Sequence, residues 1–208
     1  MKRKGSFLLT TGLLLIAAAL CLIGYNLWDA SRAETAAMQT VEKLITELPE
    51  PPAPLSELTD VPPEEIEYPD YLLNPGMEMP ILTVDGLDCI GVLSIPGLEL
   101  ELPVQSEWSY PNLQKTPCRY LGTAYQGHFI ISAHNYRRHF GQLHTLRLGS
   151  SIVFTDADGN VFPYIVSEIC TLAPTDIEEM ESGDWDLTLF TCTLGGRSRV
   201  TVRCLRAE

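Results

Sequence analysis

Residues 7–28 form a run of 22 positions without a charged side chain. About 20 apolar residues wound as a helix cross the hydrocarbon core of a bilayer, and a helix lets a single segment satisfy its own backbone N–H and C=O groups there. Lys2, Arg3 and Lys4 precede the run, and basic flanks of this kind stay cytoplasmic. Tyr25 and Trp28 close it with rings suited to a membrane interface. A cleaved signal peptide would carry a shorter apolar core and a small-x-small site soon after. The expectation is a single-pass signal anchor over residues 1–28, N-terminus cytoplasmic, with everything after Trp28 outside the cell.

Beyond the anchor the chain changes character three times. Ala30, Ala33, Ala37, Val41 and Leu44 recur at helical spacing, which predicts an amphipathic stalk helix over 29–48, ended by Pro49. Residues 49–70 hold seven prolines and seven acids with no Lys or Arg. That composition is extended and self-repelling, so 49–87 reads as a linker that holds the following domain away from the membrane. From residue 88 the pattern becomes short strands. Residues 89–95 and 98–104 flank Pro96-Gly97, 129–133 is a compact apolar run, 151–155 and 161–167 flank the turn at 156–160, and 187–192 and 199–205 flank Gly195-Gly196. Strands this close, with little helix between them, argue for a closed or nearly closed antiparallel β-barrel over 88–208.

Charge and cysteines narrow the function. The chain carries a net charge of −13, and past residue 28 there are 11 basic side chains against 27 acidic ones. Such a body lacks the electrostatic footprint that nucleic acid requires. Of six cysteines, Cys21 lies in the apolar run and Cys89, Cys118, Cys170, Cys192 and Cys204 follow it. Five is odd, so one stays unpaired if the others pair within the chain. No C-x-x-C spacing marks a zinc site. Cys89, Cys170 and Cys204 sit in strand patterns and read as small buried apolar side chains.

Cys192 differs. It closes the run Thr188-Leu189-Phe190-Thr191-Cys192, seven residues before Arg199. Strand alternation puts Val200, Val202 and Cys204 on one face and Arg199, Thr201 and Arg203 on the other, so a hairpin can set Arg199 beside Cys192. Upstream, His134 ends the apolar run that begins at His128. A thiol becomes a useful nucleophile when a base takes its proton and a cation stabilises the anions that follow. His134 and Arg199 are the candidates. Arg197 is read as a solvated turn charge, and His128, His139 and His144 rank below His134. Thr191 is a candidate for orienting substrate or a plain β-branched strand residue.

Read together, Thr188–Cys192, the arginine opening Arg199-Val200-Thr201-Val202-Arg203, and Ser132-Ala133-His134-Asn135-Tyr136 resemble the sortase family. The family's T-L-x-T-C signature matches at its four fixed positions. Ser132-Ala133 stands where the family usually has Ala-Gly. The resemblance covers roughly 88–208 and implies a mainly β, closed eight-stranded sortase-type barrel with short helices and loops, preceded by one transmembrane helix. It implies Cys192 as the nucleophile that forms a thioacyl enzyme, His134 as the acid–base partner, and Arg199 as the group that holds substrate and stabilises the oxyanion. The implied partners are secreted surface proteins with an LPxTG-like sorting motif and an amine acceptor such as a cell-wall peptide precursor.

Protein anchoring is favoured over pilin polymerisation, because Tyr68-Pro69-Asp70-Tyr71 is not the Asp-Pro-aromatic lid motif and no second membrane segment is found. Other readings are a hydrolytic cysteine protease or a non-catalytic barrel that binds a peptide or wall component. No cofactor is expected. Some members bind calcium near acidic loops, but Asp156-Ala157-Asp158-Gly159-Asn160 and the acids of 176–184 read here as solvated turns.

Overall fold

The computed structural model describes residues 2–51 and 68–207. Helix α1 (Lys2–Glu47) runs unbroken for 46 residues. Its apolar half is exposed, and among the described residues it is the one helix long and apolar enough to cross a membrane. At Asp29 the helix changes role. Ala33, Ala37, Thr40, Val41 and Leu44 are buried, at the spacing that keeps one helical stripe against a partner.

That partner is the barrel itself. Val41 and Leu44 pack with Val84, Leu87, Cys89 and Val92, on β1 (Leu82–Val84) and β2 (Leu87–Ile95). Burying Val41 and Leu44 contributes about 1.5–3 kcal/mol each. Lys43 caps the contact with a 2.6 Å ion pair to Asp85. Strand β2 is thus covered on both faces, which explains why it reads as a nearly continuous apolar run. The stalk helix lies along the barrel wall, where the sequence led us to expect a domain held off by a linker.

The ordered domain also begins before residue 88. Helix α2 (Asp70–Leu73) places Tyr71 in a stack on Tyr125, with ring centroids 5.0 Å apart. Met79 is buried, and β1 pairs antiparallel with β2. The apolar residues Tyr71, Met79 and Val84 are what tie this segment down. Residues 52–67 of the expected linker lie outside the described residues.

Eight strands close the barrel: β2, β3 (Leu100–Gln105), β4 (Cys118–Thr123), β5 (Gly127–Ser132), β6 (Ser151–Asp156), β7 (Val161–Leu172), β8 (Leu187–Cys192) and β9 (Arg199–Arg206). Their order around the wall is β2-β3-β4-β5-β8-β9-β7-β6, and β6 returns to β2. The core holds Phe129, Phe140, Phe154, Phe162 and Tyr164, all with no exposed surface. The short helices α3 (Tyr110–Leu113) and α4 (Ile177–Glu181) sit in connections between strands.

Two neighbours depart from the antiparallel expectation. β3 and β4 pair parallel at Gln105 and Cys118, and β5 and β8 pair parallel from Phe129 with Leu187 to Ser132 with Phe190. Parallel strands need a long crossover, and the chain between β5 and β8 supplies one that contains β6, β7 and α4.

The seam between β2 and β6 depends on Gly91. Its φ is +150°, and a Cβ there would meet the Thr155 carbonyl oxygen at 2.0 Å. Gly91→Ala is expected to cost about 1–3 kcal/mol, as overpacking does. Thermal unfolding of the full chain in detergent, compared with wild type, checks this.

Candidate active site

The parallel pairing of β5 and β8 sends both strands to one end of the barrel together. Ser132 is level with Phe190, so His134 and Cys192, each two residues further on, emerge side by side. The Ala133 N–H donates to the Phe190 carbonyl at 3.3 Å. Thr191 closes the contact: its buried hydroxyl donates to the Ala133 carbonyl at 2.8 Å. One side chain adjacent to the cysteine thereby holds the residue adjacent to the histidine. Neither Ser132 nor Ala133 has a positive φ, so the family's usual glycine is not needed here.

The third group arrives by antiparallel pairing. β8 and β9 form a hairpin in which Cys192 faces Arg199 across the ladder. The turn is fixed by Thr193, whose N–H donates to the Ser198 carbonyl at 2.9 Å while its Oγ1 accepts the Ser198 N–H at 3.1 Å. Gly195 and Gly196 take φ of +84° and +69°, a region costly for other residues. Arg199 Nη1 donates to the Gly196 and Ser198 carbonyls, both at 3.2 Å. Among the described residues no carboxylate lies within ion-pair distance of it. Its remaining N–H donors are free for a ligand. Arg197 is exposed in the turn.

Cys192, His134 and Arg199 line one cleft of about 220 Å³, together with Thr191 and Ser132. Its walls are mostly apolar, with Asp176 the carboxylate among the lining residues. Trp108, Tyr110, Tyr120 and Phe190 form an edge-to-face aromatic chain, and Ile177 and Met180 of α4 face them. These walls suit an apolar side chain. Sequence reasoning missed these walls because β4, which carries Tyr120, is bulged at two places, and bulges erase the period-two alternation that marks a strand.

The remaining cysteines are set apart by burial. It pushes the thiols of Cys89, Cys118 and Cys204 up to about 12 and that of Cys170 to about 11, so each stays protonated near neutrality. All described cysteines are free. Cys192 is the one that reaches the cleft.

His134 is half-buried. Burial pulls its imidazole below the ordinary value, and the negative charge of Asp29 opposes that. His139 lies wholly inside, with neither ring nitrogen bonded among the described residues, and burial pushes it down to about 4. It stays neutral and packs beneath the loop. His128 and His144 are exposed. The Asp156 carboxylate accepts from the Asp158 and Asn160 N–H groups, the Asn160 amide and the Tyr125 hydroxyl, so its oxygens serve the turn.

A family model described as the sortase domain matches residues 93–207. Sortase A of Bacillus anthracis is 27% identical over 192 residues, covering 86% of this chain and 84% of that protein. A Streptococcus pneumoniae sortase C structure, whose description refers to catalysis and pilin substrate specificity, superposes with a TM-score of 0.54 at 29% identity, covering 61% of this chain and 69% of that one. Sortase C1 of Streptococcus suis gives a TM-score of 0.51 at 27% identity, covering 58% and 73%.

Two outcomes follow from the packing. Thr191→Val leaves the Ala133 carbonyl without its partner in a buried setting, which costs about 1–3 kcal/mol; calorimetry beside a turnover assay measures the loss. For His139, the unfolded chain binds the proton more readily than the folded one. Stability therefore falls as pH drops from the ordinary value of 6.5 toward about 4. His139→Leu removes this component, and urea midpoints measured across that window will show a shallower decline than wild type.

Proposed function

Because the chain belongs to the sortase family of cysteine transpeptidases, we propose that it cleaves an LPxTG-like sorting motif and transfers the released carboxyl end to an amine. The observation that carries this reading is the cleft in which Cys192, His134 and Arg199 converge above an apolar, aromatic groove. In this scheme the Cys192 thiolate attacks the scissile carbonyl carbon. The tetrahedral oxyanion is met by the unpaired donors of Arg199, and stabilising such a charge with a fixed donor is often the largest catalytic contribution. Protonated His134 gives its proton to the departing amine, the C–N bond breaks, and a thioester on Cys192 remains. The incoming amine loses a proton to His134 and attacks the thioester. The new amide leaves and the thiolate is regenerated. Thiol, imidazole and guanidinium suffice, and the scheme needs no metal.

The helix α1 supports placement on the membrane, with the catalytic domain on the outer face, where secreted surface proteins and cell-wall peptide amines meet. A second reading, polymerisation of pilin-like subunits through a lysine acceptor, draws on the sortase C structures that resemble this barrel. Acceptor choice separates the two readings and also separates transfer from plain hydrolysis.

The test uses the full chain in detergent with quenched sorting-motif peptides, supplied with a glycine or diaminopimelate-type amine, a lysine-bearing peptide, or water alone. Intact mass spectrometry should show a thioacyl adduct on Cys192 that resolves faster with amine. Cys192→Ala should form none, and Arg199→Ala should lower kcat about 100- to 1,000-fold. Full activity in Cys192→Ala would sink the assignment.

A further inference from the structure

The loop that carries His134 is held from outside the barrel. It closes on itself, with the Phe140 N–H donating to the His134 carbonyl at 3.2 Å and the Gly141 N–H to the Tyr136 carbonyl at 2.9 Å. Tyr136 lies at its centre, its ring centroid 5.0 Å from that of His134. The Tyr136 hydroxyl reaches across to α1 and donates to Asp29 Oδ2 at 2.5 Å. A second tie runs from Arg138 to Glu34 at 3.0 Å. One and two turns further along α1, Ala33 and Ala37 are buried, Ala37 in the main core. The docking is therefore a packed contact with two polar ties onto the histidine loop.

Asp29 is the first residue after the uncharged run of 7–28. A carboxylate at the mouth of an apolar anchor needs a partner, and here the partner is the neighbour of a reacting imidazole. We propose that Asp29 is a positioning residue of the active site: through Tyr136 it fixes the loop and ring of His134, so the membrane-anchor helix completes the reacting centre instead of merely tethering it. This rests on His134 as the acid–base group.

The charges around His134 make the effect directional. From α1 come Asp29 and Arg32, the latter lying over the Trp28 ring. From the loop come Tyr136, neutral His139, exposed Arg137, and Arg138 paired with Glu34. From β8 and β9 come Cys192 and Arg199. Asp29 is the carboxylate whose charge favours the imidazolium, against the burial that disfavours it. Without Asp29, His134 loses its proton at lower pH and the ring loses its fixed orientation.

The experiment uses full-length enzyme in lipid nanodiscs and a sorting-motif peptide with amine. Asp29→Asn keeps the size and an acceptor oxygen but removes the charge; Tyr136→Phe keeps the ring but removes the bond. Lys43→Ala cuts a docking ion pair remote from the loop and serves as the control that leaves kcat unchanged. Asp29→Ala and Tyr136→Phe should each lower kcat about ten- to a hundredfold with KM little changed, and their double variant should be no worse than the poorer single one. Asp29→Asn should move the alkaline limb of the kcat profile to lower pH. Wild-type kcat and pH profile in both Asp29 variants would overturn the proposal, as would a loss confined to KM or melting temperature. Full activity in His134→Ala would instead remove the acid–base assignment beneath it, a distinct failure.

Discussion

The site depends on the parallel ladder between β5 and β8. Two strands that run the same way end at the same rim, so the residues just beyond them, His134 and Cys192, become neighbours without any local sequence link. The Thr191 hydroxyl on the Ala133 carbonyl fixes that rim at its last rung. An antiparallel pairing of the same strands would have sent the histidine and the cysteine to opposite ends of the barrel. The meeting of imidazole and thiol follows from this register, and the β8–β9 hairpin adds the guanidinium. The long excursion through β6, β7 and α4 is what makes that register topologically accessible.

A second constraint joins the apolar run to the barrel. Helix α1 is continuous from the apolar run into the stripe of Ala33, Ala37, Val41 and Leu44, so the apolar run and the surface packed on the domain share one helix. The two small alanines allow a close approach, and Val41 and Leu44 supply the apolar area. As a result Leu87, Cys89 and Val92 of β2 are buried against the helix, and the histidine loop lies beside the first turn after the apolar run. A helix of this kind transmits position in a way that a proline-rich tether cannot.

Much of this was legible beforehand. Seven strands show in the sequence because their alternation is clean or their turns carry Gly, Pro or Asp. The hairpin that pairs Cys192 with Arg199 follows from strand period and a Gly-Gly turn alone. The spacing of Ala33, Ala37, Val41 and Leu44 announces a buried stripe, though not what covers it. Strand β4 was hidden because its bulges and Gly122, at φ +71°, break the alternation. β1 was hidden because three residues carry too little pattern, and the acidic, proline-rich composition around it dominates.

What the sequence determined by itself is the set of local facts: a span long enough for a bilayer, strands of period two, tight turns, and a thiol, an imidazole and a guanidinium each at a strand end. These depend on neighbours within a few positions, where backbone geometry alone acts. What only the tertiary structure decided is which of those ends meet. Parallel or antiparallel closure, the aromatic walls around Cys192, and the contact of Asp29 with Tyr136 join residues tens to more than a hundred positions apart. Such pairs are chosen by the packing of the whole core, because burial rewards total area and does not record which segment supplied it.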